Sequence, residues 1–140
     1  MISVIIIIMD LRKTRQKKII AEALKELKGK HPSIEQIYAS ARGKDPQLGV
    51  ATVYRNINSL CLQGSVKRLE GLGDTVHYDD NPAPHYHFIC TGCGKVIDIP
   101  ADICPKRMLK LAEKAAGCRI KSHDIVFRGI CADCEKEGKK

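Results

Sequence analysis

Two pairs of cysteines with two-residue spacing carry the clearest chemistry in this sequence. Cys90 and Cys93 form the first pair, and Cys131 and Cys134 form the second. Neighbouring thiolates at this spacing bind one ion, and two such pairs complete the tetrahedral sulfur site that Zn²⁺ prefers. A redox-active motif needs only one pair. The spacing therefore predicts a structural zinc site, with the 37 intervening residues forming a small domain.

The apolar run near the start of the chain bears on the compartment. Residues 3–9 lack a basic start, reach Asp10 at once and are too short to span a membrane or act as a signal peptide. We therefore expect a cytoplasmic protein with no membrane partner, in which thiols stay reduced. The other cysteines, Cys61, Cys104 and Cys118, lack partners at metal-binding spacing and are interpreted as packing residues.

A second candidate metal site precedes the first cysteine pair. His85 and His87 are separated by one residue, so on a strand both imidazoles point to the same face. They can then share an ion, with Asp79 and Asp98 as candidate oxygen ligands. His31 would have to come from the other domain. The alternative is a pair of non-ligating histidines on a polar surface.

The elements that position these residues follow from the apolar spacing. Three helices are predicted over about residues 14–28, 33–43 and 49–64, followed by short strands over 66–70 and 75–78. Ser33 and Gln36 form a capping box at the start of the second helix. Three helices followed by a hairpin indicate a winged helix-turn-helix. Residues 1–9 are either an extra strand or the product of an upstream start codon, with Met9 as the true start.

The second half has a different pattern. A polar stretch with two prolines predicts a hinge over residues 79–84, which divides the chain into domains 1–78 and 85–140. The second domain is expected to contain strands over 85–90 and 95–99, a helix from about Pro105 to Gly117, and a strand over 118–130. The expected fold class is α+β, a winged-helix domain followed by a small α/β domain with a four-cysteine zinc site.

The charge distribution suggests a polyanion partner. The chain carries 24 basic and 16 acidic residues, a net charge of +8, and +6 of this lies in the first 78 residues. The third helix has an outer face without acidic residues. Candidate DNA contacts are Thr52, Tyr54 and Arg55 on this helix, with Arg12 and Lys13 before the first helix. The alternative is an ordinary solvated basic surface.

Four motifs in this order resemble the ferric uptake regulator (Fur) superfamily. They are His31-Pro32-Ser33, Gly49–Arg55, His85–Lys95 and Gly129–Cys134, and the match covers roughly residues 12–136. The resemblance implies a homodimeric bacterial repressor with an N-terminal winged helix, a hinge, and a C-terminal dimerisation domain that carries the four-cysteine zinc. A homodimer would bind a palindromic operator in double-stranded DNA.

The resemblance also implies a regulatory metal between the domains. Its ligands fall on His31, Asp79, His85, His87 and Asp98. Three nitrogens and two oxygens suit Fe²⁺, Mn²⁺ or Zn²⁺. An aspartate as the last ligand is similar to the peroxide-sensing branch, in which iron-dependent oxidation of a ligand histidine, here His31 or His85, releases the DNA. The alternative is direct sensing of iron or zinc by the same fold.

The chain departs from the family pattern at another metal site that some members have. Pro84, Tyr86 and Pro105 occupy positions where those members carry ligands, so only His123 remains and is interpreted as structural or supporting. The helix that often precedes the first wing-domain helix is absent or replaced by the Ile-rich run.

Two other classes of protein fit the sequence less well. Nucleobase deaminases need a glutamate two residues after the first ligand and a proline before the CxxC, where this chain has His87 and Ile89. In an RNA-binding zinc ribbon, His85, His87 and Asp98 would have no function. We therefore expect a regulator rather than an enzyme.

Overall fold

The computed structural model describes residues 2–81, 83–103 and 106–140. The chain divides into two compact units, Met1–Pro82 (unit 1) and Ala83–Lys140 (unit 2). The predicted packing role of Cys104 and the predicted helix start at Pro105 lie outside the described residues. Among the helices described, none is both long and apolar enough to cross a lipid bilayer.

Unit 1 consists of three helices followed by an antiparallel hairpin. In chain order these are α1 (Ile2–Glu26), α2 (Ile34–Lys44), α3 (Val50–Leu62), β1 (Lys67–Leu69) and β2 (His77–Asp79). Arg68 lies opposite Tyr78 in the hairpin. The predicted winged helix-turn-helix is confirmed.

Helix α2 begins at the predicted capping box, which is confirmed. The Gln36 backbone N–H donates to Ser33 Oγ over 3.3 Å, and the Ser33 backbone N–H donates to Gln36 Oε1 over 2.9 Å. Two backbone donors that the helix itself cannot pair are thereby satisfied. The cap fixes the point at which the chain enters α2, and His31 lies two residues before it.

The core of unit 1 is aliphatic and comes from one face of each helix. Its fully buried side chains include Ile20, Ile37, Val53 and Ile57. Tyr78 of β2 joins this core, and Leu60 and Cys61 pack against its edge as predicted. Burial raises the pKa of the Cys61 thiol, which agrees with a packing role.

The start of α1 differs from the prediction. The helix runs from Ile2 rather than from about Thr14, so the extra strand over residues 1–9 is wrong for the described residues. No glycine or proline interrupts residues 2–26, and a nucleated helix propagates through such a segment at little cost. Each side chain from Val4 to Met9 is more than half exposed.

Unit 2 is built on a three-stranded sheet. Its elements are β3 (His85–Cys90), β4 (Val96–Pro100), a 3₁₀ turn (Ala101–Ile103), α4 (Lys106–Ala116), β5 (Val126–Gly129) and α5 (Ala132–Lys136). Strand β3 is central, with β4 antiparallel and β5 parallel to it. The predicted helix and the first two strands are confirmed.

Two expectations for unit 2 are wrong. The strand predicted over 118–130 is confined to Val126–Gly129, because only this segment pairs with β3, from His87 opposite Val126 to Cys90 opposite Gly129. Residues 119–125 follow an irregular path. Cys118 lies two residues after the end of α4 and outside the paired segment, and it is exposed rather than packed in a core.

Candidate metal centres and nucleic-acid surface

The four paired cysteines come together in unit 2. Cys90 ends β3, Cys93 lies in the following turn, and Cys131 and Cys134 lie at the start of α5. One Sγ atom from each lies within 4.8 Å of all the others, and Cys93 Sγ is 3.8 Å from Cys131 Sγ. A tetrahedral Zn²⁺ site with Zn–S bonds of ~2.3 Å has S···S edges of ~3.8 Å. The cluster therefore has the donors and the size of a four-cysteine zinc site, as predicted.

Glycines permit this close approach. A Cβ atom on Gly92 would lie 3.1 Å from Cys134 Sγ, tighter than ordinary van der Waals contact. Gly94 has φ +75° and donates its N–H to the Cys90 carbonyl over 2.8 Å, which closes the turn that carries Cys93. Position 94 favours glycine because its backbone is left-handed. Position 92 favours glycine because a side chain there would come too close to Cys134.

The thiols of the cluster differ in acidity. The Cys131 backbone N–H donates to Cys90 Sγ over 3.3 Å and lowers the pKa of the Cys90 thiol to about 6. Burial and the neighbouring sulfurs raise the pKa of Cys134 to about 12. Four thiolates this close repel one another, and a divalent cation at their centre would offset that repulsion. The cluster is thus suited to a metal ion rather than to four free thiols.

Two residues of the second predicted site lie in unit 1. His31 Nε2 is 3.7 Å from Asp79 Oδ2, and both side chains are buried. Asp79 Oδ1 accepts the backbone N–H of Asn81 over 2.9 Å, which orients the carboxylate. His31 has φ +49°, a left-handed conformation that is uncommon for a residue with a side chain.

The other three residues lie in unit 2. His87 and Asp98 are directly opposite each other in the β3–β4 register. Asp98 Oδ1 is 3.2 Å from His85 Nε2 and 3.5 Å from His87 Nε2. Both imidazoles therefore face the same carboxylate, as the alternation along β3 predicts. His87 is buried, and the side chain of Asp98 is 38% exposed.

A backbone carbonyl selects the tautomer of His85. His85 Nδ1 is 2.6 Å from the carbonyl oxygen of Ala83, which can only accept. Nδ1 therefore carries a proton, which leaves Nε2, the nitrogen that faces Asp98, as the atom that can bind an ion. This is the arrangement in which an imidazole binds a metal ion through one nitrogen while a second partner orients the ring through the other.

His123 contacts the residue between the two histidines. Tyr86 Oη is 2.6 Å from His123 Nε2, and Tyr86 is buried. The contact ties the irregular segment before β5 to the central strand. It supports the predicted structural role of His123.

Four of the five predicted DNA-contact residues border a cationic cleft in unit 1. The cleft, of about 600 Å³, lies between the first half of α1 and the outer face of α3, and none of its described lining residues is acidic. It is lined by Met9, Arg12, Lys13, Gln16, Lys17, Thr52, Arg55, Asn56 and Ser59. Arg55 Nη2 donates to Thr52 Oγ1 over 3.2 Å, so one predicted contact orients another.

The cleft extends and corrects the sequence prediction. Arg12 and Lys13 lie inside α1 rather than before it. Lys17 was missed, although its spacing of four residues from Lys13 places both on one helix face. Tyr54 lies elsewhere, lining a smaller cavity of about 290 Å³ beside the hairpin.

Comparisons with known proteins agree with this geometry. A sequence model described as the ferric uptake regulator family matches residues 9–128. The peroxide operon regulator of Bacillus subtilis is 33% identical over 107 residues, which are 76% of this chain and 73% of that protein. The ferric uptake regulation protein of Bordetella parapertussis is 30% identical over 129 residues, 91% of this chain and 92% of that protein. Among solved structures, the peroxide stress regulator of Campylobacter jejuni matches with a TM-score of 0.72 and 26% identity, covering 96% of this chain and 99% of that one.

Proposed function

The chain belongs to the ferric uptake regulator family, and on this premise we propose that it is a metal-dependent DNA-binding transcriptional repressor that senses peroxide. One observation carries the sensing part: the carboxylate that faces both His85 and His87 is Asp98, an aspartate rather than a glutamate. The similarity to peroxide regulators of two bacteria supports it. The second candidate is direct sensing of iron or zinc by the same fold, which the similarity to a ferric uptake regulation protein favours.

We propose Zn²⁺ as the structural ion of the four-cysteine cluster. The thiolate donors, the 3.8 Å sulfur separation and the close approach at Gly92 support it. Binding of such an ion is coupled to folding, because its ligands come from both ends of unit 2.

We propose that one regulatory ion, Fe²⁺, Mn²⁺ or Zn²⁺, binds the His31–Asp79 pair of unit 1 together with the trio His85, His87 and Asp98 of unit 2. His31 and Asp79 offer two donors, and the trio in unit 2 offers three. Neither group alone supplies the five or six ligands that Fe²⁺ and Mn²⁺ commonly take, whereas a shared ion would link the two units. The ion and the operator would then favour the same arrangement of the two units, so the binding of each would increase the affinity for the other.

The sensing chemistry is proposed to act on the ligand histidines. Fe²⁺ held by these residues would activate hydrogen peroxide by giving it one electron, and it would regain one electron as the imidazole is oxidised. Overall, one peroxide oxygen would be inserted at a C–H carbon of the imidazole of His31 or His85, and the other would leave as water. The oxidised ring is a poorer ligand, so the link between the units is lost and operator affinity falls.

The basic cleft is proposed to contact DNA. Arg12, Lys13 and Lys17 supply phosphate contacts, while Thr52 and Arg55 on α3 reach base edges in the major groove. Tyr54, exposed on the same helix, is proposed to contact a thymine methyl group. Unit 1 would then act as the winged-helix DNA-binding domain.

Unit 2 is proposed to form the homodimer. Helix α4 contains no buried residue. Five large apolar side chains of unit 2 are 37–59% exposed, namely Ile97, Ile103, Met108, Leu111 and Phe127. A second copy would cover this surface and place two recognition helices on a palindromic operator. Leu111→Glu should convert the dimer to a monomer in sedimentation equilibrium, and a persistent dimer would place the interface elsewhere.

One experiment separates the two candidate functions. Operator binding is measured for the Fe²⁺ and Mn²⁺ forms before and after one equivalent of peroxide, together with the masses of peptides containing His31 and His85. A peroxide sensor loses operator affinity only in the iron form and gains one oxygen, ~16 Da, on those peptides. An iron form that keeps both its affinity and its peptide masses would establish direct metal sensing instead.

A further inference from the structure

Strand β2 holds the turn that carries His31 through three consecutive residues. His77 Nδ1 is 2.7 Å from the carbonyl oxygen of His31. The Tyr78 backbone N–H donates to the carbonyl of Pro32 over 2.9 Å. Asp79, the third residue, places its carboxylate 3.7 Å from the His31 imidazole. All of these contacts lie within unit 1.

The hydrogen bond between His77 and His31 has a defined donor, and it supports an uncommon backbone conformation at His31. The His31 carbonyl can only accept, so His77 donates its Nδ1 proton to it. His31 is held at φ +49°, and a left-handed residue with a side chain persists only where its surroundings over-determine the conformation. The bond from His77 fixes the peptide that follows His31, and with it the direction in which the His31 side chain leaves the backbone.

Strand β2 is held in unit 1 by contacts other than the hydrogen bond from His77. Tyr78 is buried in the core of unit 1, and its N–H already ties β2 to Pro32. His77 and Asp79 lie on the opposite face of the strand from Tyr78, because side chains alternate. The His77 imidazole therefore adds a contact to a strand that Tyr78 already anchors.

We propose that His77 is a positioning residue for the regulatory metal, which it serves by aiming His31 without binding the ion itself. This inference rests on the proposed function, because it takes His31 as a ligand. Since His77 belongs to the β1–β2 hairpin, its hydrogen bond also connects that hairpin to the segment that carries His31. Residues that orient a metal-bound histidine commonly change metal affinity by about 10- to 100-fold when replaced.

The test compares three replacements in the full-length, zinc-loaded protein. His77→Leu removes the donor and keeps an apolar side chain, His77→Ser is too short to reach the carbonyl, and His77→Asn places an amide N–H close to the position of Nδ1. Mn²⁺ affinity is measured by competition with a chelator, with zinc content and the unfolding midpoint of the manganese-free protein as readouts of the fold. We expect His77→Leu and His77→Ser to weaken Mn²⁺ binding by about 10- to 100-fold. His77→Asn should remain within about threefold of the parent.

His31→Ala serves as the reference that separates this inference from the proposed function. If His31→Ala leaves Mn²⁺ affinity unchanged, the proposed ligand set is wrong and the inference fails with it. If His31→Ala loses affinity while folded His77→Leu or His77→Ser keeps it, only the role of His77 is refuted. If His77→Asn is folded and binds Mn²⁺ as weakly as His77→Ser, the donor account is refuted as well. Should His77→Leu fail to fold, the comparison of His77→Ser with His77→Asn decides the matter alone.

Discussion

Removing two lysines from the cationic cleft should reduce the salt dependence of operator binding. Lys13 and Lys17 line the cleft one helical turn apart. If both contact phosphates, Lys13→Ala combined with Lys17→Ala removes four contacts from a dimer. Each neutralised phosphate contributes about 0.9 to the slope of log affinity against log salt, so the slope should fall by roughly 3.6. Between about 50 and 200 mM salt, this difference amounts to roughly two decades of affinity.

The assay is a salt titration of operator binding by fluorescence anisotropy with the manganese-loaded protein. The matched control is Lys110→Ala combined with Lys114→Ala, which removes the same charge at the same spacing from exposed positions on α4. This control should keep the parental slope, because α4 lies in unit 2. Equal slopes for the two double variants would refute phosphate binding in the cleft.

Four further predictions, one of them a pair of glycine variants, concern the metal centres and the helix cap. Cys93→Ser should release the structural zinc and unfold or dissociate unit 2, as followed by zinc content and sedimentation; a folded dimer with full zinc would contradict the four-cysteine site. Gly92→Ala should speed zinc loss to a chelator, because its Cβ would lie 3.1 Å from Cys134 Sγ. Gly94→Ala, with open space around it but φ +75°, should instead cost about 1–2 kcal/mol of stability with less effect on zinc release. Asp98→Glu should keep manganese-dependent operator binding while slowing iron-dependent oxidation of His31, measured by peptide mass; an equal oxidation rate would refute our account of Asp98. Ser33→Ala should lower the free energy of unfolding by about 1 kcal/mol in urea titrations, and no change would mean that the capping box is not formed in solution.

Features that depend on near neighbours in the sequence could be predicted. The capping box requires only Ser33 and Gln36, and the common face of His85 and His87 requires only that the segment be a strand. The four-cysteine cluster is similar, because each pair is pre-arranged by its own spacing.

Features that depend on distant parts of the chain could not be predicted. The length of β5 is set by how many of its residues pair with β3, and sequence pattern alone extended it back to Cys118. Lys17 lines the cleft because α1 passes beside α3, which periodicity within one helix does not reveal. The bond between His77 and the His31 carbonyl joins residues 46 positions apart, and no local signal marks it.

Strand β3 also constrains how this sequence can change by insertion or deletion. It carries His85 and His87 near its start and Cys90 at its end, with Phe88 and Ile89 between them. Because side chains alternate, losing or gaining one residue in this interval would turn the histidines to the opposite face of the sheet while Cys90 stays in place. A single-codon length change here would therefore disable the histidine site even with every ligand retained, whereas substitutions at 88 or 89 would affect packing alone. Any transfer of the two centres to another scaffold must accordingly move the strand as a whole.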